Sequence, residues 1–204
     1  MRSLVMVTGT PGVGKTTACR ILARRLHWRH VDCGRLALRE GFTIRYDESA
    51  RTYHVDLKGL SRALRNAVER LGSGIILEGH LIPSLEDLAP SRVFVLRCDP
   101  RRLLTRLRQK GYPREKIAEN IGAEILDVCL SEAVRSFGVR RVCEIDASEK
   151  DPSEVASTML SILRGRVRCT HSHVDWISRL DSEGGLQEIL SYVEGGYQTG
   201  RSRM

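Results

Sequence analysis

The sequence contains no apolar run near the ~20 residues that a membrane-spanning helix needs, so no such span is predicted. Its first residues pass directly into a strand pattern, and no secretory leader is expected ahead of it. Cysteines are few and scattered: Cys19, Cys33, Cys98, Cys129, Cys143 and Cys169 show no paired metal-ligand spacing. They are expected to be reduced, mostly core thiols in a cytoplasmic protein. His171 and His173 stand close to Cys169 but lack a fourth ligand, so no zinc site is predicted there. Neither an internal repeat nor a low-complexity tract interrupts the chain. Acids are the scarcer charge, 25 Asp and Glu against 33 Lys and Arg, a net charge of +8. That balance suits phosphate-rich partners, nucleotides and RNA alike, without separating the two.

What is present is enough for one soluble globular domain with a small appendage: 204 residues, 41% hydrophobic and 28% charged. The most informative stretch runs Gly9-Thr10-Pro11-Gly12-Val13-Gly14-Lys15-Thr16-Thr17. Glycines at 9, 12 and 14 let successive backbone N–H groups curl around phosphate oxygens, Lys15 can reach the outer phosphates, and the Thr16 hydroxyl can ligate Mg²⁺. Residues 3–8 before it read as a short apolar strand, and Ala18, Ile21, Leu22 and Leu26 after it recur at helical spacing. Strand, glycine-rich loop and helix thus come in the order that an ATP-binding P-loop requires.

Further along, residues 29–32 form a second short strand, and about 32 to 54 is an arginine-rich stretch without a clear period, predicted to cover a substrate. Asp32, Arg35 and Arg39 are its candidate substrate contacts, with Arg45 a further cation. Leu57, Leu60, Leu64, Val68 and Leu71 trace a helical face that ends at the glycines near 72–74. Residues 74–78 read as a buried strand carrying Glu78 at its tip, placed to face Mg²⁺ or its waters. His80 could position a water or an acceptor phosphate, or be structural; the pattern alone does not choose. Arg92 to Arg97 is a fourth strand, and Asp99-Pro100 opens a helix with Leu103, Leu104 and Leu107 on one face. Nine basic residues against three acids lie between Pro90 and Asn120. Among them Arg106, Arg108 and Lys110 precede Gly111, where a mobile lid could bend over ATP phosphates. Ile117, Ile121, Ile125 and Val128 suggest the next helix, residues 141–145 a fifth strand, and Asp151-Pro152-Ser153-Glu154 caps a helix through Leu163. Five strands alternating with helices predict an α/β fold with a parallel sheet and helices on both faces. Two short helices follow beyond Gly165, and Gly195 to Met204 reads as disordered.

The P-loop, Glu78-Gly79-His80, Lys110-Gly111-Tyr112, Tyr46-Asp47-Glu48, Leu96-Arg97-Cys98-Asp99-Pro100 and the run Glu119 to Val128 together resemble the adenylate kinase isoenzyme 6 family, over residues 1 to about 164. That resemblance implies a P-loop nucleoside monophosphate kinase with ATPase activity. It also implies a role in late maturation of the small ribosomal subunit and its rRNA. Gly12, Gly14, Lys15, Thr16 and Thr17 take the family's nucleotide contacts, and Glu78 and His80 its acid and histidine. Two positions depart from the family: Lys110 stands where an arginine is usual, keeping the charge without the planar fork. Leu38 occupies a commonly basic position, so Arg35 or Arg39 would supply that contact. The implied partner is a ribosomal protein of the platform, universal small-subunit protein eleven. Being basic, it would meet an acidic or apolar patch, around Glu119, Glu124 and Asp127, while the arginines stay free for RNA or nucleotide.

Two functions fit this reading. One is Mg²⁺-dependent transfer of the ATP γ-phosphoryl group to a nucleoside monophosphate, AMP foremost. The other is a ribosome-assembly ATPase whose kinase activity is incidental. A GTPase is disfavoured because no Asn-Lys-x-Asp motif occurs, and a shikimate-type kinase because Asp32 has no second aspartate two residues on.

Overall fold

The computed structural model describes residues 4–47, 52–71, 74–79, 88–171 and 174–201. Five parallel strands form the central sheet: β1 (Leu4–Thr8), β2 (Arg29–Asp32), β5 (Ile75–Glu78), β6 (Arg92–Arg97) and β7 (Val142–Asp146), in the order β2-β5-β1-β6-β7. The order places β1 at the centre, so the loop leaving its C-terminal end opens between β5 and β6. Side chains alternate across the sheet, and the two faces build two cores. Val5, Val7, Ile76, Phe94 and Leu96 enter one, with α1 (Lys15–Leu26), α4 (Pro100–Gln109), α5 (Arg114–Ile125) and α7 (Pro152–Leu163). Leu4, Met6, Ile75, Leu77, Val93 and Val95 enter the other, with α2 (Cys33–Arg39), α3 (Leu57–Leu71) and α6 (Val128–Phe137). The doubly covered parallel sheet expected from the alternating pattern is therefore present. Among the described residues no helix is long and apolar enough to cross a membrane.

Helix starts follow local chemistry. Asp99 caps α4 by accepting from the Arg101 N–H at 2.8 Å, with Pro100 at the first position. Asp151 and Glu154 form a capping box at α7, as the sequence motif predicts.

Four expectations change. The stretch read as aperiodic holds helix α2 and an antiparallel hairpin, β3 (Thr43–Asp47) with β4 (Thr52–Val55); short elements leave too few repeats for a period to show. The apolar run through Val128 is broken at Asp127, whose φ of 54° ends α5 and lets α6 begin. The described residues of the C-terminal part are helical: after α8 (Trp176–Ser182), α9 runs Leu186–Arg201 straight through Gly195 and Gly196. There the glycine serves packing, since a Cβ on Gly196 would lie 2.3 Å from the Ala118 Cβ of α5. Trp176, Leu180 and Ile189 join the first core, so α8 and α9 are packed elements of the molecule. Finally, Cys143 and Cys169 form a disulfide, Cα to Cα 5.0 Å, which overturns the all-thiol expectation. The cause is tertiary: the irregular segment after α7 returns along β7, where the Glu144 N–H donates to the Thr170 carbonyl at 2.8 Å. A separation of 26 residues carries no such signal.

Candidate active site

The loop after β1 has the conformation its glycines allow. Gly9, Gly12 and Gly14 have φ of 138°, 98° and 105°, and a Cβ on Gly9 would stand 2.3 Å from the Leu96 carbonyl oxygen of β6. Gly14 is the N-cap of α1, so the helix N-terminus and its free N–H groups open into the loop. The Lys15 ammonium donates to the carbonyls of Gly9 at 2.6 Å and Thr10 at 3.0 Å, which leaves one of its three protons for a phosphate oxygen. Burial lowers its pKa from the ordinary 10.5, opposed by the nearby Cys129 and Glu78. A bound polyphosphate would supply negative charge that offsets this desolvation.

Thr16 and Glu78 meet although 62 residues apart: the Thr16 hydroxyl donates to Glu78 Oε1 at 2.7 Å. The pairing of β5 with β1 brings this about by setting Glu78 beside Val7, one residue short of the loop. On its other side Glu78 Oε2 lies 3.4 Å from His30 Nε2 of β2. Neither atom has a hydrogen-bond partner among the described residues. Burial alone would raise the Glu78 carboxyl, but the His30 imidazole and the Thr16 hydroxyl outweigh it and hold the group below its ordinary value.

Two clefts lie nearby, one lined by the P-loop residues that precede Thr16 and one by His30, which faces Glu78. One, of about 370 Å³, is lined by Gly12, Val13, Gly14, Arg106, Gln109, Lys110, Ala147, Lys150, Pro152 and Val155. The other, of about 310 Å³, is lined by Arg20, His30, Val31, Asp32, Arg35, Leu36, Arg39 and Ala67. The structure thus brings together Gly12, Gly14, Arg106 and Lys110 on one side, and Asp32, Arg35 and Arg39 on the other. Asp32 Oδ1 accepts from the Arg35 N–H at 3.0 Å as the cap of α2, while Oδ2 is 3.5 Å from Arg35 Nε. Arg35 and Arg39 are four residues apart and share a face of α2, whereas Leu38 lies exposed. Thr17 is exposed on the first turn of α1.

Arg108 is not in the first cleft. Arg106 and Lys110 are four positions apart, so they share a face of the helix end; Arg108 points away, its guanidinium 4.9 Å from the centre of the Tyr192 ring of α9. His80 and Glu48 lie outside the described residues. Arg20, His30, Ala147 and Lys150 were not singled out in the sequence. Arg20 alone had a usable signal, one helical turn beyond Thr16 on α1.

The acidic patch and the free arginines are also corrected. Glu124 is 2% exposed. It accepts from Arg97 Nε at 2.8 Å, the Cys98 N–H at 3.1 Å, Trp176 Nε1 at 3.0 Å and the Thr10 hydroxyl of the loop. Asp127 also holds Arg97, and Glu119 is 2.9 Å from Lys116. Arg97 is buried, held further by Glu144 at 2.6 Å; Arg101 meets Asp99 and Glu183, and Arg102 meets Glu149. Arg114, like Arg108, stacks on Tyr192. Much of the local positive excess is therefore paired within the molecule, Arg97 in the interior and Arg101 and Arg102 at the surface, where acids from other elements meet them.

A family model described as an AAA domain matches residues 5–127. A protein of Thermococcus onnurineus (strain NA1) named "Putative adenylate kinase" is 35% identical over 179 residues, 87% of this chain and 93% of its own length. One of the same name from Thermococcus kodakarensis is 35% identical over 191 residues, 93% of this chain and 98% of the relative. Among solved structures, shikimate kinase from Acinetobacter baumannii in complex with shikimate superposes with a TM-score of 0.57 at 18% identity, over 82% of this chain and 97% of that one. At that identity the likeness concerns the fold alone, a P-loop kinase fold.

Proposed function

The chain belongs to the family of these archaeal adenylate kinase homologues and is a P-loop kinase, and from that premise we propose that it transfers the γ-phosphoryl group of Mg-ATP to a nucleoside monophosphate, AMP foremost. One observation carries the reading: the Thr16–Glu78–His30 contact joins a cleft on the P-loop side to a separate arginine-lined cleft, as two phosphorylated ligands meeting end to end require. Gly9, Gly12, Gly14 and Thr17 offer N–H groups to the triphosphate. Lys15, Arg106 and Lys110 supply its positive charge. Asp32, Arg35 and Arg39, with Arg20 beside them, orient the acceptor, whose phosphate suits the arginines. The residues also fit Mg²⁺: the Thr16 hydroxyl and a Glu78 carboxylate with a buried, unpartnered oxygen are hard donors. When bound, Mg²⁺ supplies charge neutralisation across the outer phosphates. No covalent intermediate is called for; the chain's contribution is positioning and preorganised charge. His80 is assigned the attacking or accepting group, so His80→Ala should lower turnover more than ATP binding.

The test is purified protein with Mg-ATP, with and without AMP, CMP or UMP, followed for ADP and inorganic phosphate separately. Transfer yields ADP without free phosphate, and hydrolysis releases both. Lys15→Ala should reduce both products by about 10²- to 10³-fold with the fold intact; near wild-type turnover would overturn the assignment. Lys110→Arg should keep ATP use and Lys110→Ala impair it.

The family resemblance favours a second reading, an ATPase serving small-subunit and rRNA maturation through universal small-subunit protein eleven. Its contact surface must lie elsewhere than Glu124. A pull-down of that protein with ATP, with ADP and without nucleotide tests it: binding that ignores the nucleotide and vanishes at ~0.3 M salt is charge attraction alone.

A further inference from the structure

Cys19 of α1 is buried, and its sulfur, a nitrogen of His30 and an oxygen of Glu78 all lie within 4.8 Å of one another. Catalysis as proposed above has no use for the thiol. The His30 Nε2 to Glu78 Oε2 distance is 3.4 Å, long for a hydrogen bond, and both atoms are buried without a hydrogen-bond partner among the described residues. Leaving two such atoms unmatched is costly. A tetrahedral ion with bonds of about 2.0–2.2 Å to nitrogen and oxygen sets its ligands roughly 3.4 Å apart. The observed spacing fits the edge of such a tetrahedron. A larger Zn–S bond of about 2.3 Å makes the edges to sulfur somewhat longer, within the spacing seen here.

We propose that Cys19, His30 and Glu78 bind a thiophilic divalent cation, Zn²⁺ by preference, at a site that overlaps that of Mg²⁺ at Glu78. A thiolate, an imidazole and a carboxylate are a borderline-soft set that Mg²⁺ does not favour and Zn²⁺ does. The two anionic ligands balance the ion's double charge, and the fourth position is left for water or an acceptor oxygen. Binding replaces the thiol proton with a metal–sulfur bond and releases that proton to solvent. Occupation fixes Glu78 Oε2 on the Cys19 and His30 side and takes up carboxylate charge that would otherwise serve Mg-ATP, so the ion inhibits phosphoryl transfer. This consequence rests on the function proposed above; the binding does not.

The experiment uses the whole chain stripped with a chelator and titrated with Co²⁺ without nucleotide. One equivalent should produce the visible spectrum of tetrahedral Co²⁺ with a thiolate charge-transfer band in the near ultraviolet, bleached by Zn²⁺. Cys19→Ala should remove that band, and Cys19→Ala and His30→Gln should each weaken binding at least roughly tenfold. Zn²⁺ should inhibit the wild-type transferase in excess Mg²⁺, while Cys19→Ala keeps its basal turnover and resists. Absence of a charge-transfer band in the wild type, or a band unchanged in Cys19→Ala, overturns the site. Metal binding without inhibition of an active enzyme overturns the coupling to Glu78. An inactive wild type that still gives the Cys19-dependent band counts against the kinase reading and leaves the metal site standing.

Discussion

Glu124 shows at the residue scale how much of the site is held by groups that would not touch a nucleotide. Its carboxylate ties the P-loop through Thr10, the end of β6 through Arg97 and Cys98, and α8 through Trp176. A buried ion pair adds little net stability over an apolar replacement, but removing one partner strands the other. Glu124→Gln should therefore destabilise the protein by about 3 kcal/mol in urea denaturation. It should also weaken ATP binding more than a surface change of equal ΔΔG, since Thr10 loses its anchor. Glu78 makes a second prediction, in pH. Its folded value lies below the ordinary 4.5, so it contributes stability at pH above that value and loses it as pH falls through the folded value. Glu78→Gln should flatten this part of the acid limb of stability against pH, measured by thermal melts in a pH series; an unchanged limb would mean that the carboxylate is not held as its contacts imply.

At the scale of elements, α9 grips the junction between α4 and α5. Tyr192 receives the guanidinium groups of Arg108, at the end of α4, and Arg114, at the start of α5, at 4.9 and 5.3 Å, on either side of Gly111. Cation–π contacts of this kind are worth about 0.5–1 kcal/mol each where partly exposed. Gly196 lets the two helices approach until Ala118 fills the space its Cβ would take. Gly196→Val should lever α9 from α5 at a cost of about 1–3 kcal/mol, seen as faster proteolysis near the C-terminus and a lower denaturation midpoint. Tyr192→Ala should cost less and loosen the α4–α5 junction without touching the first cleft. Equal protease resistance in both variants would show that α9 is held by other contacts.

For the molecule as a whole, the Cys143–Cys169 disulfide ties the edge strand to the segment that leads into α8. Closing 26 residues removes about 3.5 kcal/mol of chain entropy from the unfolded state. For a chain of this size, Cys169→Ser or a strong reductant should lower the melting temperature by roughly 10 °C. Because the disulfide lies away from both clefts, turnover at 25 °C should change little; a loss of activity in step with reduction would link the C-terminal helices to the P-loop through Trp176 and Glu124.

By itself the sequence determined the P-loop, the five strands of the central sheet, the acid at the tip of β5 and the helix caps. These depend on local rules: glycines where φ must be positive, apolar runs of strand length, and an aspartate before a proline at a helix start. It also pointed to Asp32, Arg35 and Arg39, which share one cleft because two of them stand a helical turn apart and the third caps that helix. Only the tertiary structure decided which charges reach solvent and which cysteines meet. Arg97 and Glu124 are 27 residues apart and Glu124 and Trp176 52, separations at which no pattern of spacing encodes contact. Strand order brings them together, and strand order is set by how whole faces of helices are buried, a property no single stretch of the chain carries. The same holds for Gly196, where packing on Ala118 overrides the helix-ending preference of glycine, and for Cys19, His30 and Glu78, which converge only when α1, β2 and β5 take their places side by side.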